Sequence, residues 1–238
     1  MTGEDAIYSH AGLEMSGRFV APETERRLPG ILLLHGAHGL DGFILGVADR
    51  LAEEGFAVLA ADLWGGREQP AGMAEIGPLI AGLAADRTGW TGRIEAARQV
   101  LAARSEVDPT RIGALGYCLG GAGVMEAVRV GLAIRSGVAF HPGIATVGRD
   151  WSAASRARLL LCVGAADPMG KADDIAPLTA AMDAAGTPWE LTFYSGAKHA
   201  FTEPVQPGRP PFAGHDPWAD RRSWAAMTDF FTLTLAED

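Results

Sequence analysis

One cysteine in this chain stands where a nucleophile would be built. Gly116-Tyr117-Cys118-Leu119-Gly120-Gly121 follows the apolar run 112–115 and opens a segment of helical composition over 122–130. A strand turning sharply into a helix at Gly-x-Cys-x-Gly is the thiol form of the nucleophile elbow. The cysteine takes a strained backbone conformation there, and its neighbours must be small because strand and helix backbones approach closely. The helix N-terminus favours a thiolate over a thiol. The Leu119 amide points to where a substrate oxyanion would form. A small buried filler is the other use of such a cysteine, so the rest of the chain has to decide.

A thiol nucleophile needs a base to take its proton, and the base needs an acid to orient it. The chain supplies both in the order nucleophile, acid, base. Asp167 stands in Gly164-Ala165-Ala166-Asp167-Pro168, just past the apolar run 159–164. His199 stands in Ser195-Gly196-Ala197-Lys198-His199-Ala200-Phe201, just past Phe193-Tyr194. Gly36-Ala37-His38-Gly39 has the small residues that let a backbone amide face a ligand, so Ala37 is the expected second oxyanion donor. Gly36, His38, Trp64, Trp90, His141 and Phe201 are the expected substrate contacts, although His141 also reads as a satisfied structural histidine.

Other candidates carry less. Asp62 ends a strand but precedes the nucleophile, which suits it to organising the next turn. Asp173 and Asp174 read as helix-start residues. His35 and His38 form a His-x-x-His without a further ligand set, so no metal is expected. Cys162, in Leu159-Leu160-Leu161-Cys162-Val163, reads as core.

These residues need a frame that gathers strand ends. A short antiparallel hairpin is expected near 5–20. Apolar runs at 30–35, 57–62, 112–117, 137–141, 159–164 and 189–194 then alternate with helical segments at about 41–54, 92–104, 120–132, 173–185 and 217–235. That alternation predicts an α/β fold with a mostly parallel sheet and helices on both faces, in one domain spanning 1–238. Asp173 is a plausible helix cap, Gly186 a plausible stop, and Asp108-Pro109 reads as the end of the helix before the nucleophile strand. The segment 64–90 breaks the pattern with scattered glycines and prolines. A long excursion after a strand's C-terminal end lies above the sheet, so it reads as a partly helical cap over the site.

Composition sets outer bounds. The 238 residues are 48% hydrophobic and 21% charged, with a net charge of −9, which argues against nucleic acid or anionic membrane as a partner. The polar, acidic start and the shortness of every apolar run give no sign of a secretory signal or membrane span. Two cysteines make no disulfide framework, and a cytoplasmic setting is expected.

Taken together, the motifs resemble the dienelactone hydrolase family of α/β-hydrolases over nearly the whole chain. The resemblance rests on the Cys118 elbow, Ala61-Asp62-Leu63-Trp64, Gly164-Ala165-Ala166-Asp167-Pro168 and His199-Ala200-Phe201. Ala219-Asp220-Arg221-Arg222-Ser223-Trp224 with Phe230-Phe231 carries it to the last helix. It implies an α/β-hydrolase fold, a Cys118/Asp167/His199 triad, no cofactor, and hydrolysis of a small ester or lactone through an acyl-enzyme, by a monomer or homodimer. Members often carry a glutamate right after the strand that here ends at His35, and this chain has Gly36. The dienelactone-cleaving type uses arginines to hold a substrate carboxylate, one in the cap segment and one shortly after the catalytic histidine. Here 71–86 has none, and Glu203 stands near the second expected position. A neutral substrate, or one less acidic than a dienelactone, is therefore expected, with Arg87, Arg93 and Lys198 the cations to test should an anion bind. A ligand-binding protein without turnover and a redox-active thiol protein are the alternatives.

Overall fold

The computed structural model describes residues 2–151, 153–204 and 209–237. Eight strands form one sheet: β1 Thr2–His10, β2 Leu13–Ala21, β3 Leu28–Leu34, β4 Ala57–Ala61, β5 Val107–Tyr117, β6 Ser136–Phe140, β7 Arg158–Gly164 and β8 Trp189–Tyr194. Their spatial order is β1-β2-β4-β3-β5-β6-β7-β8. β1 pairs with β2 and β2 with β4 antiparallel, and the remaining pairings are parallel.

Among the described residues six α-helices cover the sheet: α1 Gly42–Glu53, α2 Met73–Ala85, α3 Arg87–Ala102, α4 Leu119–Arg129, α5 Ala172–Ala185 and α6 Pro217–Thr234. The period-2 alternation of β3 explains how both faces are filled. Leu32 and Leu34 join a core with Ile94 and Leu101 of α3, Val124 of α4 and Leu178 of α5. Ile31 and Leu33 join the opposite core with Ile44 and Leu51 of α1 and Met227 and Phe231 of α6. Each such fully buried aliphatic side chain contributes about 1.5–3 kcal/mol from removal from water, so the sheet is clamped from both sides.

Local signals explain most ends. Asp41 caps α1 by accepting from the Ile44 amide at 3.0 Å. Gly186 ends α5 in the left-handed region at φ 72°. Two readings need correction. The helix before the nucleophile strand stops at Ala102, and Asp108-Pro109 already lies inside β5. There Val107 and Asp108 pair with Leu28 and Pro29 ahead of a bulge. The cap of α5 is Lys171, whereas Asp173 and Asp174 sit in its first turn.

Candidate active site

Cys118 sits between β5 and α4 at φ 53° and ψ −110°, the strained conformation the elbow requires. Its backbone is fixed on both sides: its amide donates to Phe140 O at 3.0 Å, and its carbonyl accepts from Ala122 N at 3.1 Å. The glycines around it are required by contact. A Cβ on Gly116 would lie 2.1 Å from Gly120 O, and one on Gly120 would lie 2.1 Å from Leu34 O.

Asp167, on the loop after β7, is buried, and its two oxygens have separate partners. Oδ1 accepts from the Met169 amide at 2.8 Å, and Oδ2 meets His199 Nδ1 at 2.8 Å. His199 Nε2 in turn lies 3.1 Å from Cys118 Sγ. The loop after β8 holds the histidine through backbone bonds from His199 N to Phe212 O and from Gly214 N to His199 O. Burial opposes a charge on this imidazole, but Cys118 and Asp167 outweigh it and raise its pKa to about 10. His199 is thereby favoured as a cation beside the sulfur at neutral pH.

The remaining expected residues divide. Gly36, Ala37 and His38 line a cavity of about 130 Å³ that has Cys118 and His199 in its wall. Trp64 does not line it: its Nε1 donates to Ala37 O at 3.2 Å and so supports the loop. Trp90 is buried in the core, with its ring 3.5 Å from where a Cβ on Gly123 would stand. His141 and Phe201 form a layer behind the site rather than a surface of it. The His141 ring lies 5.1 Å from that of His199 and 5.3 Å from that of Phe201. His141 Nε2 bonds Thr202 Oγ1 at 2.8 Å, Nδ1 has no partner among the described residues, and burial holds its pKa well below the usual imidazole value.

The histidine pair is also separated by role. His35 accepts from Leu63 N on Nε2 at 3.0 Å, so its Nδ1 carries the proton and donates to Gly36 O at 2.6 Å. That bridge ties the ends of β3 and β4 together beneath the Ala37 loop. Among the described residues, no group of three or more His, Cys, Asp or Glu side chains converges as metal ligands would. Asp62 organises its turn, accepting from the amides of Ser16, Trp64, Gly65 and Arg67. Cys162 is fully buried, and burial pushes its pKa up to about 12.

Several wall residues escaped the sequence reading. Met73, Ile76 and Ile80 of α2 line the cavity from 64–90, and Phe43, Ile44, Met169 and Phe212 add further apolar surface. Arg209 and Glu203 also line it as an ion pair. The three cations named for testing should an anion bind are engaged elsewhere: Arg87 with Glu126, Arg93 with Leu63 O and Lys198 with Pro211 O. Arg209 gave no signal because it follows a non-periodic stretch rich in proline and lies well beyond His199 in the chain.

A mostly parallel eight-stranded sheet, with the nucleophile-type elbow after β5 and an acid and a histidine on the loops after β7 and β8, defines an α/β-hydrolase. The comparisons narrow this. The sequence profile of the dienelactone hydrolase family matches residues 15–235, and the chain belongs to that family. A probable 2-oxo-3-(5-oxofuran-2-ylidene)propanoate lactonase from Bradyrhizobium sp. is 30% identical over 206 residues, covering 83% of each chain. The solved structure of m3DLH matches at TM-score 0.94 with 30% identity, covering 99% of each chain. A dienelactone hydrolase-like promiscuous phosphotriesterase from metagenomic libraries matches at TM-score 0.93, with the same identity and coverage. As an ester or lactone hydrolase by family, the chain carries no described helix long and apolar enough to cross a membrane.

Proposed function

We propose that the protein hydrolyses a small carboxylic ester or lactone through an acyl-enzyme on Cys118. The observation that carries this is the unbroken line Cys118 Sγ, His199 Nε2, His199 Nδ1, Asp167 Oδ2, at 3.1 and 2.8 Å, whose cysteine and histidine stand in the wall of an apolar cavity. In this reading the Cys118 sulfur attacks the carbonyl carbon and the π-electron pair moves to oxygen. The Leu119 and Ala37 amides stabilise that oxyanion. As the tetrahedral centre collapses, the bond to the leaving oxygen breaks and His199 delivers its Nε2 proton to that oxygen. A water molecule then attacks the thioester with His199 as base, the sulfur departs, and the acid product leaves. Asp167 holds Nδ1–H throughout, so Nε2 is the nitrogen that exchanges the proton. The chemistry requires a free thiol, which suits the reducing cytoplasm.

The redox-thiol alternative has little support, since the second cysteine is fully buried inside β7. A panel of short-chain esters, lactones and enol-lactones tests the proposal, with the phosphotriester class of the metagenomic relative included. Cys118→Ala is expected to lower kcat by about three orders of magnitude or more while the fold persists. Mass spectrometry with a slow ester is expected to find the acyl group on Cys118. A folded alanine variant with undiminished turnover ends the covalent reading.

A further inference from the structure

The cavity is apolar over most of its wall, yet it contains a buried ion pair outside the Cys118–His199 couple. Arg209 Nη2 donates to Glu203 Oε2 at 2.5 Å, and both side chains are only 13% exposed. Taking two charges out of water is costly and is tolerated only while each answers the other. Among the described residues Arg209 is the one permanent cation lining the cavity, and Glu203 already neutralises it. Asp41, also in the wall, adds a second acidic side chain. A substrate carboxylate reaching Arg209 would have to displace Glu203 and leave that carboxylate buried without its partner. Among the described residues Arg209 Nη1 is buried and has no hydrogen-bond partner, so it is shut off from an incoming molecule and leaves Glu203 as the group that answers the guanidinium. A neutral ester or lactone makes no such demand and leaves the pair intact.

We propose that the Glu203–Arg209 pair is the specificity-determining element of this pocket. It shuts out substrates that bear a carboxylate. The substrate class is then a neutral ester or lactone. This rests on the hydrolase reading above. It also sets the chain apart from its Bradyrhizobium relative, whose name specifies a lactone of a propanoate.

Two matched ester pairs test it, one charged on the acyl side and one on the alcohol side. They are 4-nitrophenyl hydrogen adipate against methyl 4-nitrophenyl adipate, and 3-acetoxybenzoate against methyl 3-acetoxybenzoate. The wild type is expected to favour the neutral member at least tenfold in kcat/KM in at least one pair. Glu203→Gln is expected to raise the anionic-to-neutral ratio at least tenfold, through a lower KM for the anion. The double variant Glu203→Gln/Arg209→Gln, with no guanidinium to free, is expected to lose that gain and stays informative if the uncompensated arginine impairs the single variant. Calorimetry gives a readout that needs no turnover: benzoate is expected to gain at least tenfold in affinity relative to benzamide in Glu203→Gln. Equal handling of both members in both pairs by the wild type, or an unchanged benzoate-to-benzamide ratio in the variant, overturns the inference. If no ester is turned over, the hydrolase reading fails, while the calorimetric ratio still decides the role of the pair.

Discussion

Replacing Asp167 with asparagine isolates what the carboxylate does, because each of its oxygens has its own buried partner. Oδ1 accepts from Met169 N–H and Oδ2 faces His199 Nδ1, both at 2.8 Å. Asparagine has one acceptor for these two donors. If its oxygen stays on Met169, its NH2 faces Nδ1, so Nδ1 must be bare and Nε2 carries the proton. Nε2–H then points at Cys118 Sγ and can take no proton from it. If the amide flips, two N–H donors face each other at Met169, and each buried unsatisfied group costs about 1–3 kcal/mol. The flipped form is therefore scarce, and in both forms the negative charge beside the imidazolium is lost. Together these predict a fall in kcat of about 10³ to 10⁴, or roughly 4–5.5 kcal/mol of transition-state stabilisation. The assay is kcat for 4-nitrophenyl acetate, together with ¹⁵N shifts of the His199 ring to assign the tautomer. Asp167→Ala leaves Nδ1 free to keep its proton, so it is expected to retain at least as much activity as Asp167→Asn. An asparagine variant within tenfold of wild type, or one whose ring keeps its proton on Nδ1, refutes the reasoning.

Other expectations follow from the same geometry. Gly120→Ala puts a methyl group 2.1 Å from Leu34 O, against backbone that cannot yield, so a loss of about 3 kcal/mol or more is expected. At about 2–4 °C per kcal/mol, the fall in Tm is at least roughly 6 °C by calorimetry. A Cβ on Gly36 stands 3.8 Å from Cys118 Cβ with no close contact, so Gly36→Glu should fold and set a carboxylate beside the thiol. Iodoacetamide at pH 7.5 is then expected to label Cys118 at least about tenfold more slowly than in wild type, since a nearby negative charge disfavours the thiolate. Cys162 is expected to stay unlabelled in both proteins, as peptide mapping would show. Burial raises the Glu203 pKa, with Arg209 and His199 opposing and Asp41 reinforcing the shift. Glu203 therefore protonates more readily than an ordinary glutamate as pH falls, releasing Arg209. The anionic-to-neutral kcat/KM ratio is expected to rise between pH 8 and 5.5 in wild type and to stay flat in Glu203→Gln.

Much of this was legible in the sequence because its signals are local. The runs that became β3 to β8 are apolar and short, and α1, α4 and α6 carry clear composition. The Cys118, Asp167 and His199 positions could be read because each falls within a few residues of a strand end. What could not be read depends on packing between distant segments. Trp90 lies in a glycine-rich region, yet the helical phase of α3 turns it toward Gly123 and the core. Trp64 and His35 were visible as polar-tipped rings, but only the fold shows them supporting the Ala37 loop. Arg209 reaches the cavity from a stretch without periodicity, so nothing in its neighbours announced its pairing with Glu203.

The fixed backbone at Cys118 has a consequence for how such a protein can change. Its left-handed turn is held by Phe140, Ala122 and close-fitting glycines, so the sulfur cannot be re-aimed without dismantling the centre of the sheet. The side chains that face an incoming molecule come largely from elsewhere: Met73, Ile76 and Ile80 on α2, and Glu203, Arg209 and Phe212 on the stretch before α6. None of these belongs to a strand. Selectivity is thus free to drift by substitution in peripheral segments while the reacting atoms stay in place. Laboratory evolution of this chain toward new substrates should accumulate changes in those two segments and leave residues 112–121 untouched.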